Sequence, residues 1–255
     1  MINDKEKEYL RYDRRAQSLL RSGVSILASP STLGSSAISP IFRAPYNYYE
    51  RSIKRYVSRD HDVLELCSGA GLHTYVLIQA GARVVATDIS KKCLEVLARR
   101  MDGSVVETRV ADMESLPFRA KCFDVVSIAG GLSYGDPALV DAEIRRVLRP
   151  GGIFICVDSL NHNPIYRVNR WFQYMRGART KSTLLHMPTM ARIRSISRGF
   201  ASTEVRFFGA VSYLMVPLGL MIGQARAANF SDAADRMVRV RWSAFKFVMV
   251  AKGRL

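Results

Sequence analysis

Between residues 61 and 158 short β-branched runs alternate with helical stretches, and this alternation constrains the fold more than any other feature of the chain. It predicts a parallel sheet covered on both faces, because a parallel connection must cross back over the sheet through a helix. Strands are expected at Val63–Cys67, Arg83–Asp88, Val105–Ala111, Phe123–Ala129 and Ile153–Asp158, with helices over Leu72–Ala80, Lys91–Met101 and Pro137–Leu148. Pro150-Gly151-Gly152 reads as a turn that ends the last of these helices and launches the fifth strand. After Asp158 the pattern changes to an aromatic, Arg-rich stretch (Asn161–Arg179), then a helix near Thr189–Ser197 and strands at Ser202–Phe208 and Ala244–Ala251.

Ahead of the alternating core, apolar residues from Tyr9 to Leu27 fall at helical spacing, and residues 28–40, rich in Ser, Pro and Gly, read as a loop. Pro45 and Tyr46, Tyr48 and Tyr49 open a second helical stretch to about Val57, placed to cap a ligand cleft. Residues 207–225 carry no charge, which raises the question of a membrane span; Pro217, three glycines, Ser212 and Gln224 favour a buried or cleft-covering segment instead. The charged N-terminal residues show no apolar signal core, so a cytoplasmic protein is expected, with peripheral contact at the inner face of a membrane as the alternative placement.

Charge is unevenly placed. Residues 61–158 hold 11 Lys/Arg against 13 Asp/Glu, whereas residues 159–255 hold 16 against 3. A basic excess confined to one third of the chain favours an anionic partner. Cys67, Cys93, Cys122 and Cys156 lack the spacing of a zinc site or a disulfide framework, so no metal is expected.

The strongest local signal is the run Val63-Leu-Glu-Leu-Cys-Ser-Gly-Ala-Gly71, a strand feeding a Gly-containing turn and then a helix. Such a turn brings a ligand against backbone N–H groups at the positive end of a helix. A dinucleotide fingerprint would need a third glycine where Thr74 stands, and the acid Glu65 suits a cationic ligand better than a pyrophosphate. Asp88 closes the second strand, where a carboxylate can accept both hydroxyls of a ribose. Asp112 follows the third strand beside Met113, a carboxylate and an apolar surface fit for an adenine.

With ELCSGAG, ATDIS, ADMESLPF, FDVVSIAGGLSY and RVLRPGG in this order, residues 61–158 resemble the class I S-adenosylmethionine-dependent methyltransferases, especially the type 11 group. The resemblance implies a Rossmann-like α/β fold with a mostly parallel seven-stranded sheet whose seventh strand is antiparallel. It implies S-adenosylmethionine as cofactor, with Glu65 and Gly69–Gly71 beside its methionine part, Asp88 at the ribose hydroxyls, Asp112 and Met113 at the adenine, and Cys67, Ile89 and Ala129 also among the cofactor residues. Cys67 departs from the family, which usually has a glycine there, and Cys disfavours positive φ.

The expected organisation is an N-terminal helical cap over residues 1–60 and a methyltransferase domain over 61–255, with basic substrate-cap insertions at about 159–200 and 210–242. The stretch Asn161–Thr189 resembles extensions of methyltransferases in bacterial surface-polysaccharide pathways, which implies O-methylation of a sugar hydroxyl or phosphate on a glycan or glycan intermediate. Asn163-Pro-Ile-Tyr166 is similar to a motif of methyltransferases acting on DNA or protein amides, but it follows the fifth strand rather than the fourth and reads as a turn. A hydroxyl acceptor needs a base, for which His162, then Tyr134 and Asp136, are the candidates; an anionic small-molecule or glycan acceptor would be held by Arg167, Arg170, Arg176 and Arg179. His73 reads as structural. The rival classes are an RNA-modifying methyltransferase, disfavoured because the basic residues form no recognisable nucleic-acid module, and a silent binding module on the same fold.

Overall fold

The computed structural model describes residues 3–21, 35, 38–101, 106–237 and 243–254. In chain order the elements are α1 (Asp4–Arg21), a 3-10 turn (Pro40–Phe42), α2 (Ala44–Tyr56), β1 (Asp62–Leu66), α3 (Thr74–Gln79), β2 (Arg83–Asp88), α4 (Lys91–Arg100) and β3 (Val106–Val110). They continue with β4 (Phe123–Ala129), α5 (Pro137–Val147), β5 (Leu148–Ser159), α6 (Pro164–Met175), α7 (Lys181–Leu185), α8 (Met190–Ser197), β6 (Phe200–Phe208), α9 (Ser212–Ile222), α10 (Gln224–Met237) and β7 (Lys246–Arg254).

The strands form one seven-stranded sheet in the order β3-β2-β1-β4-β5-β7-β6. Strands β1 to β5 pair in parallel, and β7 runs antiparallel to both β5 and β6. This is the Rossmann-like methyltransferase architecture expected from the sequence. Strand order reverses between β1 and β4, and in an open α/β sheet a ligand crevice lies outside the carboxyl ends of the strands at such a reversal.

Burial on both faces explains why the strands read as continuous apolar runs. Leu64, Leu66, Val126, Ile128, Phe154 and Met249 face α5 and α8, packing on Val140, Ile144, Ile193 and Ile196. Val63, Val125, Ile155, Val157 and Val248 point the other way, onto Tyr49 and Ile53 of α2 and Val76 and Leu77 of α3. Helix α2 is therefore a core layer, and of its tyrosines only Tyr46 reaches the ligand cleft described below.

Three expectations need correction. Pro150-Gly151-Gly152 lies inside β5, which begins at Leu148: Leu148 pairs with Phe123 and Ile153 with Val125, so the intervening residues bulge out of the ladder with Gly151 at φ +82°. A left-handed glycine supplies the bend without ending the strand. Asn163-Pro-Ile-Tyr166 is the first turn of α6 rather than a free turn, with Asn163 capping the helix by accepting from the Tyr166 N–H at 2.9 Å.

The uncharged segment 207–225 is neither buried nor a span. It ends β6 and forms α9, whose Leu220 and Met221 are 81% and 83% exposed, and α9 and α10 pack over the Pro40–Phe42 turn. Among the described residues no helix is long and apolar enough to cross a membrane. Residues 22–27 of the first expected helix, most of the expected loop at 28–40, Val105 and the end of the 210–242 insertion lie outside the described residues.

Candidate active site

The turn after β1 is built from left-handed residues. Cys67, Gly69 and Gly71 have φ of +51°, +54° and +78°. Cys67 thus adopts the conformation usually left to glycine, at a cost of roughly 1–2 kcal/mol for an L-residue. Its side chain fills a gap beside Gly131, with Sγ 3.5 Å from Sδ of Met113, and burial pushes the thiol well above its usual pKa. A Cβ on Gly71 would stand 2.9 Å from Cγ of Leu97, so this glycine lets α4 pack close. A Cβ on Gly69 would meet nothing within 4 Å, leaving open space at the turn.

The turn is pinned to the end of β2. Ser68 N–H donates to the Thr87 carbonyl at 2.9 Å and Gly69 N–H to Asp88 Oδ2 at 3.0 Å, while Asp88 Oδ1 accepts from Ser90 N–H at 2.8 Å. Each Asp88 oxygen keeps a lone pair for a ligand. Burial raises the Asp88 pKa, opposed by backbone hydrogen bonds from Ser90, Gly69 and Ile89. Glu65, 2% exposed, accepts from Thr74 Oγ1 at 2.6 Å. Desolvation, with a smaller push from Asp88 and against the Thr74 bond, raises its pKa to about 8.

These residues surround a cleft of about 470 Å³ at the β1/β4 reversal, within the size range of small-molecule sites. Of the nine expected cofactor residues, Glu65, Cys67, Gly69, Asp88, Ile89, Asp112, Met113 and Ala129 line it; Gly71 does not, and its open side faces Leu97 of α4 and Met101 instead.

Helix α1 closes the cleft from above. Lys5, Glu8, Tyr12, Ala16 and Leu19, spaced as one helical stripe, face it. Lys5 forms ion pairs with Asp112 and with Glu114, and Tyr12 shares a hydrogen bond with Tyr134. Arg179 donates to the same Tyr134 hydroxyl at 2.9 Å. A second hollow of about 800 Å³ lies between α1 and the chain after α6, with Lys7, Arg11, Arg14, Arg179 and Lys181 outnumbering Asp4 and Glu8 in its wall. Glu8 stands in the walls of both spaces, and Arg179 in the hollow reaches Tyr134 in the cleft.

The proposed bases fare differently. Tyr134 lines the cleft, but burial, reinforced by Tyr12, pushes its phenol well above the usual range and keeps it protonated. Asp136 is the N-cap of α5, its Oδ1 accepting from Ala138 and Leu139 N–H at 2.8 and 3.2 Å. His162 lies outside the cleft lining, in the three-residue link between β5 and the capped start of α6, with its Nδ1 buried and unbonded. His73, read as structural, does line the cleft: it stacks on Tyr46 at 5.3 Å and places Nδ1 3.4 Å from the Glu50 carboxylate, an ion-pair distance without hydrogen-bond geometry.

Of the four arginines read as acceptor ligands, only Arg179 lines either space. Arg167 and Arg176 are exposed on α6 and just beyond it, and Arg170 lies over the Tyr166 ring at 5.2 Å. A helix turns its residues by 100° each, so a cluster in sequence does not converge on one side; the chain must leave the helix before it returns to the cleft. Lys5, Tyr12 and the hollow itself were missed, since the sequence marks α1 as amphipathic without saying what it covers.

With this geometry in view, residues 64–156 match the family profile described as a methyltransferase domain. A demethylmenaquinone methyltransferase of Clavibacter sepedonicus is 42% identical over 108 residues, which span 41% of this chain and 44% of that relative. The chain thus matches less than half the length of this curated relative. Among solved structures, the partner of the Trm112 methyltransferase activator in a Haloferax volcanii complex superposes with a TM-score of 0.60 at 17% identity, covering 96% of this chain and 98% of that one. A Haemonchus contortus phosphoethanolamine N-methyltransferase with phosphomonomethylethanolamine and S-adenosylhomocysteine superposes at 0.58 with 16% identity, covering 82% and 52%. The two superpositions show a shared fold, and the match to the family profile ends at residue 156, before Arg179 and the basic hollow.

Proposed function

We propose that the protein transfers a methyl group from S-adenosylmethionine to an acceptor that is already anionic and enters through the basic hollow beside Arg179. The observation that carries this reading is the convergence of Glu65, Asp88 and Asp112, from three successive parallel strands and their ends, on one cleft. Asp88 has the lone pairs to accept two ribose hydroxyls, Asp112 and Met113 offer the acceptor and the apolar face that suit an adenine, and Glu65 opposes a cation. When bound, the donor supplies a methyl carbon on a sulfonium, a leaving group that needs no acid.

An acceptor oxygen that carries its own charge fits the surroundings. Asp136 caps α5 and, like His162, is outside the cleft lining, and the Tyr134 phenol is held neutral. Positioning and exclusion of water then do the work, with Arg179 holding the anion and α1 covering the cleft. A phosphate or acidic group on a glycan or glycan precursor is the favoured acceptor. The relatedness to a demethylmenaquinone methyltransferase favours one second reading, methylation of a quinol ring carbon.

Arg179→Ala distinguishes them. For an anionic acceptor the variant should raise the acceptor KM roughly 10- to 100-fold, the loss of one charge-assisted hydrogen bond, and leave donor affinity within about twofold. Steady-state transfer of a labelled methyl group to phosphorylated glycans and to demethylmenaquinone checks it. Equal loss of donor and acceptor binding would defeat the assignment of Arg179, and turnover confined to the quinol and indifferent to Arg179 would favour the second reading.

Glu65 predicts a pH dependence. With its folded pKa near 8 against the ordinary 4.5, the free protein holds this carboxyl protonated at pH 7, and its ionisation disfavours the fold as pH rises between these values. A bound cation stabilises the carboxylate and lowers that pKa, so donor binding should release close to one proton at pH 7. Affinity should then rise with pH up to about 8 and level off above it. Titration calorimetry in buffers of different ionisation enthalpy measures the proton count; Glu65→Gln should abolish it, and a pH-independent affinity in the unaltered protein would refute the role.

A further inference from the structure

Helix α6 wears its apolar face outward. Ile165, Val168, Trp171, Phe172 and Met175 are 49%, 54%, 49%, 51% and 62% exposed. At 100° per residue they fall within an arc of about 120°, opposite Tyr166, which turns inward onto Met187 and Phe245. Arg167 flanks the arc on one side and Arg176 on the other. Ordinary surface helices bury such a stripe, and an outward one marks an interaction surface.

Charge selects the partner. Residues 159–203 contain eight Lys/Arg and no Asp/Glu. A second copy of this chain, at net +16, would meet that face with like charge. An apolar stripe rich in aromatic residues and edged by arginines fits the boundary of an anionic bilayer, where the stripe enters the acyl region and the arginines stay at the headgroups. Twelve residues rise about 18 Å, too short to cross the roughly 30 Å hydrocarbon core, so the helix lies in the plane of the surface. We propose that α6 docks the protein on an anionic phospholipid surface through Ile165, Val168, Trp171, Phe172 and Met175. The docking goes beyond methyl transfer and does not depend on the acceptor. It would bring the basic hollow, which opens just after α6, to where a lipid-borne acceptor is carried.

Co-sedimentation of the full chain with vesicles of phosphatidylcholine alone, or with about one-third phosphatidylglycerol, tests this. The protein should partition onto the anionic vesicles at least tenfold more strongly. In a Trp242→Phe background, which leaves Trp171 as the single tryptophan, its emission should shift to the blue. Trp171→Ser/Phe172→Ser should cut partition at least tenfold with donor affinity unchanged by calorimetry, which also shows the variant folded. Arg167→Glu/Arg176→Glu should cut it on the order of tenfold or more, following about fivefold per basic residue at such a surface. Equal binding to neutral vesicles, no binding, or full binding by the Trp171/Phe172 variant would each overturn the proposal. So would a concentration-dependent dimer in ultracentrifugation that the same variant dissolves, which would give the stripe to a second copy.

Discussion

Asp88→Ala is expected to weaken S-adenosylmethionine and its demethylated product together by roughly 10- to 200-fold, about 1.5–3 kcal/mol, the value of hydrogen bonds to a charged group. The carboxylate has two tasks in the geometry. It draws the Gly69 N–H and the Ser90 N–H onto its two oxygens, and in the proposed reading its outer lone pairs accept the ribose hydroxyls. Replacing it removes the ligand's acceptors and loosens the turn that frames the cleft, so the loss should lie toward the upper end. Calorimetric titration measures the affinity, and a urea melt separates the two tasks. A large fall in affinity with a melting midpoint near that of the unaltered protein assigns the residue to the ligand. Unchanged affinity would remove Asp88 from the donor site.

The largest stability effect should come from a residue that touches no ligand. Arg192 of α8, 8% exposed, donates from Nη2 to Asp141 Oδ1 of α5 at 2.8 Å and from Nη1 to the Leu132 carbonyl at 2.7 Å. Leu132 N–H in turn donates to the buried Asp158 carboxylate at 2.7 Å. The end of β4 and the loop after it, which carry Ala129 and Gly130 into the cleft wall, are thus clamped between α8 and the end of β5. Removing one member of a buried pair strands the other charge, so Arg192→Met should cost about 3–5 kcal/mol. Replacing both members, as Arg192→Met/Asp141→Leu, should recover much of it, because no unpaired charge is left. Urea denaturation followed by circular dichroism reads both. A single variant within about 1 kcal/mol of the unaltered protein would mean the clamp carries little.

The wall of the proposed donor cleft was legible in the sequence because each of its parts carries a local signal. A β-branched run flows into the turn at Gly69, an acid closes β2 at Asp88, and Asp112 follows β3 with an apolar neighbour. Even the oddity at Cys67 was visible as a residue unsuited to the turn, and the structure holds it left-handed at φ +51°. Pro150-Gly151-Gly152 misled because the turn chemistry is genuine while the neighbouring strand keeps the ladder going on both sides of it. The acceptor side was illegible for a different reason. Four arginines look alike along the chain, and only the path after α6 decides that Arg179, not Arg167 or Arg170, comes back to Tyr134. His73 shows the same limit: its place in the cleft wall depends on α2 supplying Glu50 and Tyr46, partners more than twenty residues away in sequence. In α6 the apolar period is present in the sequence, but periodicity gives the face and not its direction, and this face points out.

In the proposed reading the cleft at the β1/β4 reversal is built for a cationic nucleoside donor. Calorimetric titration of the unaltered protein with S-adenosylmethionine, S-adenosylhomocysteine and NAD tests it most directly. Saturable one-to-one binding of the first two is expected, with competition between them, release of close to one proton at pH 7 with the cationic donor, and no comparable binding of NAD. Tight binding of NAD with none of S-adenosylmethionine would contradict it.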